Sequence, residues 1–367
     1  MNILVAGATG KTGIRVTEQL REQGHTPIAL VRDSSDTSAL ASDVVLRKGD
    51  LTNLTADACE GCDAVIFAAG SGGSTGPEMT DKVDRDGAKD LVDIAAKAGI
   101  WGRYAAYYEP NVRGTQNVLA ACREHGVHRL VYTSSPSVVF DGRSMEGVDE
   151  SVPYPQRQHS HYAATKALGE QAVLAANGTT LRTLALRPHL IWGPRDNHLV
   201  PRIVSRGRAG TLRRVGDGTN KVDTTYIENA ARAHLLAADA LATNPRAAGR
   251  PFFISQGEPM ALWEIINRIL AAAGLPPLTR SVPQPVAWSV GAILEAAYAL
   301  LRLKGEPRMT RFVARELATA HWFDITAART ELGYEPAISI TEGLHRLEAW
   351  LQEREAPAAA SRSLASR

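Results

Sequence analysis

Short apolar runs alternate with longer amphipathic segments along the first half of the chain. The runs NILVAG, TPIALV, VVLRKGD, DAVIFAAG and HRLVYTSS are bounded by glycine or polar residues, as buried strands of a parallel sheet usually are. The segments between them, such as TGIRVTEQLREQGH and GTQNVLAACREHGV, place apolar residues at helical spacing. This alternation predicts an α/β fold with a Rossmann-type, doubly wound parallel sheet over residues 1–194.

The second half of the chain has a less regular pattern. After IWGPRDNHLVPRIV we expect the chain to leave the sheet and to form a smaller C-terminal substrate-binding domain over residues 195–354. Residues 222–241 carry a helical apolar pattern and are expected to return to the core. The last residues, 355–367, are small and polar and are predicted to form a disordered tail.

One apolar stripe in this second half has three interpretations. Residues 286, 290, 293, 294, 297, 300 and 301 are apolar and fall on one face of a helix over Pro285–Arg302. Such a helix would belong to the core, cover an apolar substrate as a lid, or lie in a membrane interface. It is short for a membrane span and contains Glu295, so no transmembrane segment is expected.

Two helical segments in the middle of the chain have the same shape. Residues 87–100 and 114–127 each begin with glycine and have a second glycine twelve positions later. Only the second is followed by a strand, and a βαβ crossover needs one such helix. We therefore predict a duplicated crossover helix at about 80–98, with a join between two related chains at Ala95–Gly99, near residues 95–100. A natural insertion of one helix is the alternative.

Composition and charge narrow the function classes. Lysine and arginine number 41 against 39 acidic residues, so the formal net charge is +2 and no nucleic-acid partner is predicted. The three cysteines are too few for a disulfide framework, and Cys59 and Cys62 lack the second pair that a metal site would need. No bound metal is therefore expected. Since the start of the chain has no signal-peptide pattern, we also expect a cytoplasmic protein.

The first strand runs into a glycine-rich turn and a helix, an arrangement that binds a pyrophosphate. Glycines let the backbone approach the phosphates, and the free N–H groups of the helix N-terminus meet their charge. Dinucleotide contacts are predicted in this turn at Gly7, Thr9, Gly10, Lys11, Thr12 and Gly13. Further contacts are predicted after the third and fourth strands at Asp50, Leu51, Ala68, Ala69 and Gly70.

The end of the second strand indicates which dinucleotide binds. An acidic residue there binds the free ribose hydroxyls of NAD, whereas a basic residue accommodates the 2′-phosphate of NADP. Arg32 therefore favours NADP(H) over NAD(H), and Lys11 and Arg15 could add positive charge near the phosphate. Asp33, directly after Arg32, keeps NAD open as the alternative.

A tyrosine and a lysine stand four residues apart in HSHYAATKALGEQ, so a helix presents Tyr162 and Lys166 on one face. Reduction of a ketone leaves an alkoxide that needs a proton, and a phenol can supply it. A phenol with a pKa near ~10 is a poor acid at neutral pH, but an ammonium within ~4–6 Å can lower that pKa by ~1–3 units. We therefore expect Lys166 to lower the pKa of Tyr162. His159 and His161, just before, are expected in a loop near the mouth of the site.

With its glycine-rich start and the segments YTSS, YAATK and LRPHLIWGPRD, the chain resembles the extended short-chain dehydrogenase/reductase family. The resemblance implies a catalytic set of Ser135, Tyr162 and Lys166, in which Ser135 donates to the substrate oxygen and Lys166 also holds the nicotinamide ribose. Ser134 is the alternative serine. The resemblance further implies that Pro188 and His189, after the sixth strand, line the nicotinamide site.

The two parts of the chain resemble different members of that family. Residues 1–95 are similar to atypical, NmrA-like NAD(P)-binding members. From about residue 95 the chain resembles 3β-hydroxysteroid dehydrogenase-like enzymes, most of all the bacterial 2-alkyl-3-oxoalkanoate reductases of olefin biosynthesis. The resemblance implies an NADP(H)-dependent oxidoreductase that interconverts 3-oxo and 3-hydroxy groups on a lipid-like small molecule, and a homodimer. The alternatives are a 3β-hydroxysteroid dehydrogenase, a sugar-nucleotide epimerase or dehydratase, and a non-catalytic NAD(P) sensor.

Overall fold

The computed structural model describes residues 1–68, 104–196, 198–301, 307 and 309–365. In the sheet and beside it lie strands β1 Asn2–Ala6, β2 Thr26–Val31, β3 Val45–Lys48, β4 Ala64–Phe67, β5 Arg129–Thr133, β6 Met145–Val148, β7 Arg182–Pro188, β8 Ile191–Trp192, β9 Arg214–Val215, β10 Lys221–Val222, β11 Thr225–Tyr226, β12 Pro251–Ile254, β13 Met260–Ala261, β14 Ser281–Val282 and β15 His321–Phe323. The α-helices are α1 Lys11–Glu22, α2 Tyr104–Tyr108, α3 Gly114–Glu124, α4 His161–Ala175, α5 Leu199–Arg208, α6 Ile227–Thr243, α7 Leu262–Ala272, α8 Gln284–Leu300, α9 Arg311–Glu316, α10 Thr326–Leu332 and α11 Ile340–Ala365.

Seven parallel strands form the central sheet in the order β12-β7-β5-β4-β1-β2-β3. The strand order reverses at β1, because β2 pairs on one side of it and β4 on the other. The carboxyl ends of parallel strands share one edge, and ligands of such sheets bind in the crevice where the order reverses. The prediction of a doubly wound parallel sheet is confirmed.

Both faces of this sheet are covered by helices, which explains why its inner strands β1 and β4 are nearly uninterrupted apolar runs. On one face, Val16 of α1 and Leu235 of α6 pack in the same buried cluster as Val5. On the other face, Val118 of α3 and Val173 of α4 pack in a second cluster. Helix α6, Ile227–Thr243, begins within the segment 222–241 and packs against the sheet after the chain has passed through α5.

The residues after 195 form smaller units beside the sheet. Strands β13, β10, β15 and β6 make a four-stranded mixed sheet, and β8 with β11 and β9 with β14 form two short parallel pairs. Helices α5, α7, α8 and α9 pack next to them through a third apolar cluster that includes Ile203, Ile266, Ala287 and Ala314. Strand β6 comes from the first half of the chain, so the two halves share this second sheet.

Helix α8 contains the apolar stripe that had three interpretations. Only Ala287, Gly291 and Glu295 of this helix are buried, whereas Ile293 on its outer side is 67% exposed. Leu294 lines a large cavity beneath the helix. The helix therefore forms a wall of that cavity, and the interpretation as a core helix is wrong. Within the described ranges, no helix is long and apolar enough to cross a membrane.

The end of the chain differs from its prediction. Instead of a disordered tail from residue 355, the backbone continues as helix α11 through Ala365. Five of the eleven residues 355–365 are alanine, which has the highest intrinsic helix propensity, whereas Pro357 removes one backbone donor from this part of the helix.

Several sequence predictions lie outside the described residues. Ala69, Gly70, the extra helix at 80–98 and the join at Ala95–Gly99 all fall within residues 69–103. They stay predictions. The described chain resumes in α2 at Tyr104 and continues through a π-helical turn, Glu109–Arg113, into α3, the crossover helix that leads to β5.

Candidate active site

The glycine-rich turn joins β1 to α1 through close backbone approaches. Gly7 has a φ of +86°, a conformation that favours glycine. A Cβ atom on Gly13 would lie 2.1 Å from the Gly7 carbonyl oxygen, so only glycine lets the helix begin this close to the turn. Gly10 precedes the helix and donates its N–H to the same carbonyl at 2.9 Å. Thr9 and Thr12 complete a turn that faces the positive end of the helix dipole.

Lys11 connects this turn to the segment before α5. Its Nζ lies 2.9 Å from Asp196 Oδ1 and donates to the carbonyl of Ile191 at 3.2 Å. The buried Asp196 carboxylate also accepts, at 2.9–3.1 Å, from the backbone N–H groups of His198, Leu199 and Val200. The ion pair holds α5 against the glycine-rich turn. It directs Lys11 toward β8 rather than toward β2, where the sequence predicts the 2′-phosphate.

The carboxyl end of β2 carries the charges that distinguish the two dinucleotides. Arg32 follows β2 directly and is exposed. Asp33 pairs with Lys48, at the end of β3, with 3.2 Å between Oδ1 and Nζ. Both partners are largely exposed, so the pair contributes little stability. This edge therefore presents the Arg32 cation beside an acid that already has a partner.

Asp50 and Leu51 lie just after β3 at the same edge of the sheet. Asp50 Oδ1 accepts from the Thr52 backbone N–H at 2.8 Å and from the Thr52 hydroxyl at 2.7 Å, which fixes the turn. The Leu51 carbonyl accepts from Asn117 Nδ2 of α3 at 2.8 Å. Both residues thus have a fixed backbone at the edge where the sequence predicts the adenine contact.

Ser135 and Tyr162 lie together where β5 ends and α4 begins. Ser135 starts a 3₁₀ turn, and its Oγ accepts from the backbone N–H of Ser137 at 3.2 Å and from the Ser137 hydroxyl at 2.9 Å. A serine oxygen has two acceptor positions and one proton, so its proton is left to donate. Ser135 is close enough to Tyr162 for its hydroxyl to lower the pKa of that phenol by hydrogen bonding. Ser160 caps α4 by accepting from the Ala163 N–H at 3.1 Å, which fixes the first turn, where Tyr162 lies.

The pKa of Tyr162 does not follow the sequence prediction. Burial raises it above the usual range of a phenol, the hydrogen bond with Ser135 opposes that rise, and the nearby Glu316 adds to it. Lys166 is itself buried, and desolvation lowers its pKa to about 7 although Glu170 favours its charged form. Its Nζ donates to the Thr133 carbonyl and lies 4.3 Å from the centroid of the Tyr132 ring. The expected lowering of the Tyr162 pKa by Lys166 is wrong for this arrangement, because desolvation of the phenol is the largest cause and Lys166 is not among the groups that shift it.

A buried ion pair fixes α4 against the sheet. Arg187 on β7 donates from Nη2 to Glu170 Oε1 at 2.6 Å and from Nε to Oε2 at 3.0 Å, and both side chains are almost fully buried. The Tyr154 hydroxyl donates to the same carboxylate at 2.6 Å. Glu170 lies one helical turn after Lys166. The pair therefore sets the position from which α4 presents Tyr162 and Lys166.

Two buried polar atoms at the site have no hydrogen-bond partner among the described residues, so they are available to bind a dinucleotide. Ser134 Oγ and His189 Nδ1 are buried and, within the described part of the chain, have no hydrogen-bond partner. Ser134, Pro188 and His189 line the same cavity as Gly10 and Lys166. Burial lowers the pKa of His189 to about 3, so the imidazole is neutral at pH 7 and can donate or accept. The glycine-rich turn and these atoms can hold a bound nicotinamide dinucleotide.

One cavity of about 1170 Å³ joins these residues to an apolar chamber. Of the predicted site residues, the structure brings Gly10, Lys11, Thr12, Ala68, Ser135, Tyr162, Lys166, Pro188 and His189 to its lining. Gly7, Thr9, Gly13, Arg32, Asp50 and Leu51 lie outside it, in the turn or at the ends of β2 and β3. The far part is lined by apolar side chains of α5, α7, α8 and α9, among them Ile203, Ile266, Ile269, Val290, Leu294 and Phe312.

The polar residues of this cavity that sequence reasoning missed include Glu316 on α9 and His321 on β15. In the segment RFVARELATAHWF the glutamate follows the pattern of an exposed helix face, and no motif marks it. Only the pairing of β15 with β6 and β10 brings this late segment to the end of β5. The spacing along the chain carries no signal of that contact.

The histidines and cysteines do not form a metal site. His161 is the first residue of α4 rather than a loop residue, and His159 packs on the Phe140 ring at 5.9 Å between centroids. Cys59, Cys62 and Cys122 are buried with free thiols. Across residues 1–68, 104–196, 198–301, 307 and 309–365, no group of three or more metal-binding side chains comes together.

Comparison with known proteins identifies the family. Residues 102–283 match the 3-beta hydroxysteroid dehydrogenase/isomerase family, and residues 7–191 match an NAD(P)H-binding family. The 2-alkyl-3-oxoalkanoate reductase of Stenotrophomonas maltophilia (strain K279a) is 46% identical over 351 residues, or 95% of this chain and 99% of the relative. The chain belongs to the extended short-chain dehydrogenase/reductase family. It is an NAD(P)-dependent oxidoreductase of that family, not a nucleotide sensor.

Two further relatives show the breadth of the family. The 3beta-hydroxysteroid-dehydrogenase/decarboxylase isoform 1 of Arabidopsis thaliana is 40% identical over 269 residues, covering 71% of this chain and 61% of that protein. The structure of a UDP-glucuronic acid 4-epimerase from Bacillus cereus in complex with NAD superposes with a TM-score of 0.68 over 96% of this chain and 99% of the epimerase, at 20% identity. The alignment with the Stenotrophomonas protein extends to both sides of Ala95–Gly99, and the join stays a prediction.

Proposed function

We propose that this protein is an NADP(H)-dependent reductase of 2-alkyl-3-oxoalkanoates, which converts the 3-oxo group of a branched fatty acid into a 3-hydroxyl group. The observation that carries the proposal is the single cavity that joins Ser135 and Tyr162 to an apolar chamber. The reductase name of the Stenotrophomonas relative supports the choice of substrate. A substrate with two alkyl chains needs such a chamber, because burying its CH₂ groups favours binding by roughly 0.8 kcal/mol each.

In this reaction the polar end of the cavity handles the oxygen of the substrate. Ser135 turns its one proton from Tyr162 to the ketone oxygen when the substrate binds, and Tyr162 supplies the proton that the developing alkoxide takes up. The raised pKa of Tyr162 keeps the phenol protonated before the reaction. Lys166 and the glycine-rich turn would hold the nicotinamide dinucleotide, which supplies the hydride when it is bound.

Arg32 supports NADP(H) as the cofactor. Its guanidinium stands at the carboxyl end of β2, and Asp33 beside it is paired with Lys48. We expect Arg32→Glu to reduce kcat/KM for NADPH by about 10- to 100-fold, the loss typical of a charge-assisted hydrogen bond, with little change for NADH. Lys221→Glu, the same type of charge change at an exposed position on β10 away from β2, is the matched control. Equal losses with both dinucleotides would contradict the NADP preference.

The main alternative is a sugar-nucleotide epimerase or dehydratase, and a specific observation favours it. Arg202, Arg206 and Arg213 line the cavity and could bind a diphosphate. A sterol 3-dehydrogenase is the second alternative, since the Arabidopsis relative carries that name. Both activities would use Ser135, Tyr162 and Lys166 at the polar end of the cavity, and they differ in the substrate that the apolar chamber binds.

One assay separates these activities. The purified protein is mixed with NADPH and with a 2-alkyl-3-oxoalkanoate, or with NAD and either a 3β-hydroxysterol or a UDP-sugar, and the absorbance of the reduced nicotinamide is followed. UDP-sugar epimerisation, which leaves that absorbance unchanged, is read from the products. Oxidation of NADPH with the oxoalkanoate alone supports the proposal. Turnover of the sterol or the UDP-sugar in its place would overturn it.

The remaining expectations are checked separately. The homodimer implied by the family resemblance would be detected by light scattering of the purified protein. The cytoplasmic location predicted from the sequence would be tested by cell fractionation.

A further inference from the structure

Glu316 is a carboxyl group in an unusual position. It is the last residue of α9 and lines the cavity together with Tyr162 and Phe312. Its side chain is half-buried, and no hydrogen bond or charge of a described residue contributes to the shift of its pKa. It is close enough to Tyr162 to raise the pKa of that phenol.

The protonated form of Glu316 is the favoured one near neutral pH. Burial raises its pKa to about 8. The C-terminal end of a helix also disfavours a negative charge. A neutral carboxyl group is a hydrogen-bond donor, whereas a carboxylate can only accept. At pH 7 the cavity therefore has a donor next to Tyr162.

The proposed substrate brings an anion to this place. In a 3-oxo acid one carbon separates the ketone from the carboxylate, so a ketone oxygen held by Ser135 and Tyr162 fixes the carboxylate within the surroundings of Tyr162. His189 and His321 also line this region, but burial lowers their pKa values to about 3 and about 4, so both are neutral at pH 7. An ionised Glu316 would repel the carboxylate, and a protonated one would bind it.

We propose that Glu316, in its protonated form, donates a hydrogen bond to the carboxylate of the 3-oxo acid and thereby makes the site selective for acids over their esters. This inference rests on the proposed function. Glu316 is in this view a specificity residue, while Tyr162 supplies the proton for the reduction.

Other titratable groups lie near Glu316, and their effects on the pH dependence must be distinguished from that of Glu316. Those that line the same cavity are Lys11, Tyr162, Lys166, His189, His198, Arg202, Arg206, Arg213 and His321. Arg311 and Arg315 lie on the same helix as Glu316. Glu295 and Arg311 form an ion pair with 2.6 Å between Oε2 and Nε. Lys166 and Tyr162 act on the ketone of both substrates. The Lys166 charge also attracts the carboxylate of the acid, but with a pKa of about 7 that charge is largely lost by pH 8, below the range in which the Glu316 effect is measured.

The test compares a 2-alkyl-3-oxoalkanoate with its methyl ester, from pH 6 to 9.5, in the wild-type protein and two variants. For the wild type, the ratio of kcat/KM for the acid to kcat/KM for the ester is expected to fall about tenfold per pH unit above about 8. In Glu316→Gln the amide donates at every pH, so the ratio stays high and flat. In Glu316→Leu the ratio is lower at all pH values, by about 10- to 100-fold, because a hydrogen bond to a charged group is lost.

The outcomes distinguish the two proposals. If the wild type reduces neither compound, the proposed function fails, and the role of Glu316 fails with it. If it reduces both and the ratio does not change with pH, or if Glu316→Gln keeps the fall above pH 8, only the role of Glu316 is overturned. The activity of each variant on the ester reports that the variant is folded and catalytically intact.

Discussion

The two ends of the cavity are built in opposite ways. At the polar end, strands of the central sheet and α4 carry side chains that other groups hold in place: Ser135 by Ser137, and the α4 backbone by Glu170 and Arg187. At the apolar end, short helices supply side chains such as Ile266 and Leu294 that form no directional contacts. The difference separates two tasks, because the sheet fixes the reacting groups while the helices determine what kind of molecule reaches them.

The largest effect is expected when the proton donor at the polar end of the cavity is removed. Tyr162→Phe removes the hydroxyl that supplies the proton, and we expect kcat to fall about 10²- to 10⁴-fold for every chain length. The matched control is Tyr104→Phe, since Tyr104 on α2 is a half-exposed tyrosine that packs on the ring of His161. Steady-state kinetics and NADPH binding by fluorescence measure both. A Tyr162→Phe protein with wild-type kcat would remove Tyr162 from the mechanism.

The second effect concerns the buried ion pair between Glu170 and Arg187, which holds α4 at the polar end. Glu170→Gln leaves the Arg187 guanidinium buried without its counter-ion, so the free energy of unfolding should fall by about 3–5 kcal/mol. The control is Glu342→Gln, which breaks an exposed pair with Arg346 and should cost less than about 1 kcal/mol. Urea denaturation gives both values. Equal losses in the two variants would mean that the buried pair does not anchor α4.

A third effect follows from the lowered pKa of Lys166. Between about pH 7 and its ordinary pKa, the unfolded chain holds a proton on this lysine that the folded protein does not, so the wild type gains stability from this group as the pH rises. Lys166→Met lacks this dependence. We therefore expect the variant to gain stability over the wild type at pH 6 and to lose most of that advantage at pH 9.5. Denaturation midpoints at the two pH values test the sign, and an advantage that grows with pH would contradict it.

The smallest effect probes the apolar end. Leu294→Ala removes apolar contact from the cavity, and we expect KM for a long-chain substrate to rise about 10-fold, with kcat nearly unchanged. Ile293→Ala, one position earlier on α8, faces outward and should leave both constants alone. A loss of kcat in Leu294→Ala would mean that the two ends are not independent.

The same contrast limits what could be predicted from the sequence. The sheet was predictable because strands buried on both faces leave apolar runs, and because the glycine-rich turn needs Gly7 and Gly13 for backbone reasons. Tyr162 and Lys166 were predictable because one helical turn separates them. These signals are local, so they can be read along the chain.

The rest depends on contacts between distant segments. Glu316 reaches the site because β15 pairs with β6, about 175 residues earlier in the chain, and nothing in its own neighbourhood shows this. The prediction for the pKa of Tyr162 was wrong for a related reason. The spacing to Lys166 indicates a nearby cation but gives no measure of burial. Desolvation is a property of the assembled fold, and it reversed the predicted direction.

Leu294 of α8 lines the cavity and Ile293, the residue before it, is 67% exposed, so among the described residues this wall of the cavity is one helix thick. An acyl tail that outgrows the chamber need not coil back on itself, because it can leave past this helix and continue outside. Enzymes with a closed end act as rulers for their substrates. For this protein we expect turnover to level off, rather than drop, as the tails are lengthened.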